Sequence, residues 1–249
     1  MGSRKQQQPS SRLERAGRSD GQATRAHILE TGGRMFAERG YADVTSKEIS
    51  ARADANQAAV NYHFGSKDGL YEAVLIEAHR QLVDFDQLSE WTAGAGDARD
   101  KLRAVLAHLM SLALRKEEGW AFRVLLRELL TPSPLMPALI SNAVRPKARL
   151  LLGLVAEITG LPPEHPTAQR GLFFTVVPCI LMALAPQPLK AGVLPAINRD
   201  PQVLADELMR YVLAGLEAVA TAAKPAVTSA PRATTTATAK PALGRKSAR

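Results

Sequence analysis

With 249 residues, 46% of them hydrophobic and 22% charged, the chain has globular composition and the length for one large or two small domains, which excludes disorder over most of it. Its single cysteine, Cys179, can close no internal disulfide, so a stapled secreted scaffold is excluded and a reducing cytoplasm is the expected location. The formal net charge of +8 is held unevenly: residues 1–25 carry +4, residues 220–249 carry +6 with no acid, and the body between them is slightly acidic. Two basic arms around such a body suit attraction to a polyanion, nucleic acid first, and suit solubilising tails as well.

Residues 1–22, rich in Gln, Ser, Arg and Gly without an apolar period, read as a disordered basic arm. A first helix is expected from about Thr24 to Arg39, with Leu29, Phe36 and Ala37 inward and Gly40 as a left-handed cap. Thr45 and Glu48 have the spacing of a capping box, so a second helix opens at Ser46 and turns Ile49 and Ala53 to one side. Asp54, which tolerates the left-handed conformation, sits in a tight turn, and Asn56 caps a third helix with Val60 and Phe64 inward. Gly65-Ser66 ends that helix and caps a fourth, whose inward pair is Leu70 and Val74. The stretch 88–98, containing Thr92-Ala-Gly-Ala-Gly96, reads as an internal linker.

Beyond it, helical periods cover about 97–116, 120–130, 135–160, 167–185 and 200–222, with Asp200-Pro201 as a start signal and Pro146 and Pro178 expected to kink their helices. Residues 223–249 are Ala, Thr, Lys and Pro, repeat Ala-Lys-Pro-Ala, and read as a disordered basic tail. No alternating strand pattern is present. The expected fold is all-α: a helix-turn-helix unit over 23–70, then a helical domain over 71–222. The longest nearly uncharged apolar run, Gly171 to Ala185, spans 15 residues around Pro178, too short to cross a bilayer. No membrane partner is expected.

With Val60 and Phe64 committed to the core, the third helix turns Gln57, Ala58, Asn61 and Tyr62 outward. This face is polar, uncharged and short-armed. Its amides match the N6 and N7 edge of adenine, and Ala58 suits a thymine methyl. Ser46, Tyr62, His63 and Lys67 place hydroxyl, imidazole and ammonium donors around it, as phosphate contacts require. Singly, Asn56 also reads as a cap, His63 as a satisfied histidine and Tyr62 as a core edge; together they favour double-stranded DNA, because an ordinary bundle has no reason to interrupt itself with two short helices and a tight turn.

The segment from Arg25 to Tyr71, with Phe36-Ala37-Glu38-Arg39-Gly40-Tyr41, Thr45-Ser46-Lys47-Glu48-Ile49 and Val60-Asn61-Tyr62-His63-Phe64-Gly65-Ser66-Lys67, resembles the DNA-binding domain of TetR-family transcriptional regulators. The resemblance implies that the third helix reads the major groove and that Thr45, Ser46, Asn56, Gln57, Ala58, Asn61, Tyr62, His63 and Lys67 face DNA. Four positions depart from the family's habit: Gly32-Gly33 stands in place of alanines, Asp54 in place of a turn glycine, and Asn61 where tyrosine is frequent. The glycines cost about 1 kcal/mol each in helix propensity. Asn61 should change base preference rather than abolish binding.

The same resemblance implies a homodimer built on the last two helices and a small-molecule site in the second domain. The apolar faces of 172–184 and 203–216 suit a subunit interface, and suit a monomeric core as well. Trp120 to Leu130, Pro132, Pro134 and Val144-Arg-Pro146 resemble the C-terminal domain of CecR-like regulators, which implies a response to toxic compounds. Candidate pocket residues are Met110, Trp120, Phe122, Phe173, Phe174 and Met182, with His108, Arg123 and Arg127 as polar anchors for an apolar or amphipathic effector. Aromatics and methionines at helical spacing are more often core, and Arg127 beside Glu128 reads as a structural ion pair. Cys179 reads as an inert buried thiol.

An enzyme is disfavoured: the five histidines form no His-Glu-x-x-His pattern, and no phosphate loop, nucleophile elbow or metal-spaced cysteine pair is present, so no cofactor or metal is implied. The expected function is a repressor released from a pseudo-palindromic operator by a small molecule. The alternative is a ligand-independent DNA-bridging dimer held by its basic tails.

Overall fold

The computed structural model describes residues 10–114, 119–184, 191–193, 195–197 and 200–223. The basic tail expected over 223–249 lies, apart from Ala223, outside them. Every regular element among the described residues is helical.

Helix α1 (Ser10–Arg39) begins well before Thr24, so residues 10–22, expected as a loose arm, are helical. Leu13, Glu14, Arg15 and Ala16 are strong helix formers with no proline after Pro9, and they outweigh the missing apolar period. The helix stops as expected at Gly40, whose φ of +87° lies in the left-handed region. Helices α2 (Ser46–Arg52), α3 (Gln57–Phe64) and α4 (Lys67–Leu82) are capped by Thr45, Asn56 and Ser66, with the capping box at Thr45 complete. Asp54 takes the expected left-handed turn conformation, φ +46°.

Helix α5 (Phe85–Ala93) occupies most of the expected linker. Asp84 caps it by accepting from the N–H groups of Asp86 and Gln87, and Leu88 is buried. Only residues 94–97 connect it to α6 (Ala98–Ala113). Helix α7 (Trp120–Leu130) follows, then α8 (Met136–Leu139), which passes through a π turn at Ile140–Val144 into α9 (Arg145–Thr159). Pro146 has no N–H to donate and crowds the preceding turn; instead of a sharp kink the chain widens into the π turn, where Arg145 N–H reaches back to the Ile140 carbonyl. Pro178 lies inside α10 (Pro166–Leu184), and the last helix, α11 (Pro201–Ala223), starts at Asp200.

Two cores hold these elements. The first gathers Ile28, Phe36, Ile49, Val60, Leu70, Tyr71 and Val74 from α1–α4 with Trp120, Ala121 and Val124 of α7 and Leu139 and Ala143. The second joins Leu102, Leu106 and Met110 of α6, Leu154 and Val155 of α9, Cys179 of α10, and Met209 and Leu216 of α11. The boundary expected between residues 70 and 71 therefore falls within α4, whose Tyr71, Val74, Leu75 and Ala78 continue the first core.

Helix α7 packs against α1 and α4 and belongs wholly to the first core. Trp120 lies against α1 so closely that a Cβ on Gly33 would stand 2.5 Å from its ring. Gly33, unfavourable by propensity, is what lets an indole fill that space. The indole N–H donates to Glu30 at 2.7 Å. Arg127 reaches the end of the same helix, donating to the carbonyls of Ala37 and Glu38 at 2.8 and 2.7 Å. Toward α4, buried Glu128 accepts from the Tyr71 hydroxyl at 2.9 Å and from the Ser133 hydroxyl and N–H at 2.9 and 3.0 Å. Burial and the adjoining carboxylate both push the Tyr71 pKa upward.

Candidate nucleic-acid interface and ligand cavity

Helix α3 is fixed at both ends by local chemistry. The Asn56 carboxamide oxygen accepts from the Ala59 N–H at 2.7 Å, and Gly65, at φ +74°, turns the chain away. Val60 is fully buried, and Phe64 packs at the core edge with the Arg25 guanidinium 5.0 Å from its ring centroid. The opposite face carries Gln57, Ala58, Asn61 and Tyr62, all exposed, Tyr62 to 84%. A tyrosine that bare adds little to the core.

Around this face, Thr45 and Asn56 are exposed while Ser46, His63 and Lys67 are half-buried. The His63 ring stands edge-on to Tyr62, centroids 5.0 Å apart, and the Lys67 ammonium rests 4.2 Å from the Tyr41 ring centroid. Tyr41 in turn donates to Asp68 at 2.6 Å. Glu48, in the first turn of α2, is held ionised: the Thr45 hydroxyl and N–H and the Arg39 guanidinium lower its pKa to about 2. Asn56 and Thr45 thus have structural duties as caps, and Asn56 keeps its amide N–H donors free of the cap.

At its other end, α4 walls an open-mouthed cavity of about 380 Å³ lined also by α5, α6, α9 and α10. Leu82, Val83, Leu109, Leu151, Leu172 and Val176 are among its aliphatic lining. Its polar lining groups are His79, Lys147 and Gln169. Lys147 is only 7% exposed, and its ammonium contacts the His79 ring nitrogen Nδ1 at 2.9 Å and donates to the His79 carbonyl at 3.1 Å. Burial, together with the neighbouring ammonium, lowers the His79 pKa to about 4; burial lowers that of Lys147 to about 8.

Residues 28–74 match the family description "Bacterial regulatory proteins, tetR family", and residues 98–216 match "HTH-type transcriptional dual regulator CecR, C-terminal domain". The chain belongs to the TetR family. Its N-terminal match is to that family's DNA-binding domain and its C-terminal match to the CecR C-terminal domain, in a family that is not enzymatic. The regulator AcrR of Shigella flexneri is 26% identical over 107 residues, 42% of this chain and 48% of that protein, so the alignment spans less than half of the relative. A putative transcriptional regulator from Pseudomonas aeruginosa shares the fold at TM-score 0.60 and 17% identity over 78% of this chain and 90% of its own. FadR from Bacillus subtilis, solved in complex with stearoyl-CoA, does so at TM-score 0.56 and 16% identity over 76% and 98%.

Against this TetR-family frame, the expected pocket residues separate. Phe173 lines the cavity of about 380 Å³. Phe174 lies instead in the groove between α10 and α11, beside Tyr211, Gly215 and Val219. Met110 is fully buried in the second core. His108 donates from Nε2 to the Leu82 carbonyl at 2.9 Å and packs against Trp91, 5.1 Å between centroids. Trp120 and Arg127 serve the seam between α1 and α7, and Arg123 is exposed. Large aromatics and arginines four apart resemble a pocket in sequence, but here they join two helices. Of the two further candidates, Phe122 is half-buried and Met182 packs on the second core.

The polar groups that do face the cavity, His79 and Lys147, were not among the expected residues. One signal marks Lys147: it interrupts the inward apolar spacing Val144, Ala148, Leu151 of α9. Cys179 is buried, donates to the Thr175 carbonyl at 3.2 Å and has its pKa raised to about 11 by burial, which makes it the unreactive thiol expected. Among the described residues no helix is long and apolar enough to cross a membrane.

Proposed function

We propose that this chain is a repressor that binds a pseudo-palindromic DNA operator as a homodimer in the cytoplasm and is released when an apolar or amphipathic small molecule enters the cavity at the C-terminal end of α4. The carrying observation is that one helix serves both places. Its first turn adjoins α3 at Lys67, and its last turns, with His79, Leu82 and Val83, wall the cavity. At about 1.5 Å per residue, such a helix transmits a push at one end to the other.

In this reading Gln57 and Asn61 meet base edges, Ala58 meets a thymine methyl, and Thr45, Ser46, Asn56, Tyr62, His63 and Lys67 position the backbone. Bare side chains at 174, 181 and 211 favour α10 and α11 as the subunit interface: Phe174, Leu181 and Tyr211 are 59%, 57% and 79% exposed. Two reading helices must then stand about 34 to 36 Å apart, or a further helical repeat, to enter successive major grooves. A ligand that moves α4 alters this spacing. A hundredfold loss of operator affinity requires it to prefer the non-binding state by roughly 2.7 kcal/mol, an ordinary coupling energy. FadR, solved with stearoyl-CoA, is a protein of this fold that takes a ligand with an aliphatic chain, which supports an amphipathic effector here.

The test is selection of bound fragments from the chromosome of origin, followed by gel retardation. Inverted half-sites about one helical repeat apart, retained against random-sequence competitor, are expected. Retardation that random DNA removes as readily as specific DNA overturns the reading and favours the tail-driven bridging dimer.

A further inference from the structure

Lys147 is buried at 7% exposure, yet no carboxylate lies within ion-pair distance of it among the described residues. Asp84 acts on it electrostatically, but that acid caps α5 and pairs with Arg80 at 3.4 Å. A buried ammonium is unfavourable unless an anion joins it, and natural cores rarely keep one without a reason. Lys147 lines the cavity together with Val144 and Ala148, its ammonium on His79, and it also borders a second hollow beside Arg80, Asp84 and Asn142.

We propose that Lys147 and His79 form a carboxylate-binding site, and that the effector is a medium-sized aliphatic acid whose chain lies against Leu109, Leu151, Leu172 and Val176. The proposal rests on the cavity being the effector site, as inferred above, and assigns the ligand's chemical class. Since an ammonium only donates, His79 Nδ1 accepts from Lys147 and the neutral ring carries its proton on Nε2. The pair therefore offers an ammonium and an imidazole N–H, the donors a carboxylate accepts in charge-assisted bonds. Its burial keeps His79 neutral at ordinary pH, so the site holds one positive charge, matched to one carboxylate. Gln169 of α10 stands exposed at the rim with its amide donating to the Glu164 carbonyl at 3.4 Å, and the remaining lining is overwhelmingly aliphatic.

Other ligand classes fit less well. A neutral apolar ligand seals the ammonium away from water and leaves it unpaired. A cation is repelled. A thioester presents a carbonyl with no charge, so it gains less from Lys147 than the free acid does. About 380 Å³ is near the lower end of ligand cavities, which favours a compact chain over a long one.

The experiment is calorimetric titration of the full chain with decanoate, decanol and decanoyl-coenzyme A, with shorter and longer acids alongside, on wild type and Lys147→Met. Wild type is expected to bind the best acid at least tenfold more tightly than the matching alcohol and to release operator DNA with it. Lys147→Met is expected to bring the acid-to-alcohol affinity ratio close to one. Its Tm without ligand should equal or exceed that of wild type, because a buried charge is replaced by an apolar side chain of similar length. Lys147→Gln serves if the methionine variant fails to fold. Equal affinity for acid and alcohol, binding of the thioester alone, no binding by any acid, or unchanged acid preference in the variants overturns the assignment. Operator retention by ligand-free wild type is scored separately: its loss sinks the repressor reading, whereas its presence without acid preference sinks only this one.

Discussion

The two ends of α4 meet opposite physical demands. At Lys67 the surroundings are capped turns, polar side chains and solvent; at His79 they are a lysine, a histidine and aliphatic walls. Exposed donors such as Gln57 and Asn61 carry little desolvation penalty, whereas Lys147 is buried at 7% exposure without an ion-pair partner among the described residues. Helix α7 ties α1 and α4 together through Trp120, Arg127 and Glu128.

The sharpest way to break this arrangement is Trp120→Ala. It removes a nearly buried indole from above Gly33 and should cost about 3–5 kcal/mol in denaturant unfolding. A loss below about 1 kcal/mol would show that α7 is not the brace assigned to it.

The reading face is tested by Gln57→Ala and Asn61→Ala, each expected to relax base choice at one operator position by about 1–3 kcal/mol. Randomised-site selection checks this, and an unaltered preferred site would move the contact elsewhere.

Acidification probes the interior end with a smaller effect. His79 has its pKa lowered from 6.5 to about 4, with Lys147 beside it and Arg80 and Asp84 on the adjoining turn. Between those values the unfolded chain binds a proton that the fold refuses, so this contribution is intact above pH 6.5 and is lost as pH falls toward 4. Carboxylates such as Glu48 and Glu77 also lose stability with acid, so the informative quantity is the difference from His79→Gln, which should lose less over that window. Parallel curves would refute it. Smallest is Asn56→Ala, expected to cost about 1 kcal/mol through its cap alone; a much larger fall in Tm would mean Asn56 supports more than one helix end.

Much of the DNA-binding unit was legible because its signals are local. Caps at Thr45, Asn56 and Ser66, the left-handed Asp54, the stop at Gly40 and the inward residues Ile49, Val60, Leu70 and Val74 each depend on neighbours within four positions. Where one cue misled, a cap, a buried side chain or a backbone rearrangement had outweighed it. Gly94 and Gly96 suggested a long linker, but the Asp84 cap and the burial of Leu88 extend a helix almost to them. Pro146 suggested a kink, and the chain widened into a π turn instead.

Amino-acid order by itself determined the helices of the reading unit, their caps and the uncharged outer face of α3, since each follows from hydrogen bonds and periodicity within a turn or two. Only the packed structure decided that Trp120 and Arg127 belong to a seam, that Gly33 makes room for an indole, and that Lys147 meets His79 across 68 positions of chain. A side chain's solvation depends on whatever distant elements close over it. Spacing along one helix carries no record of that.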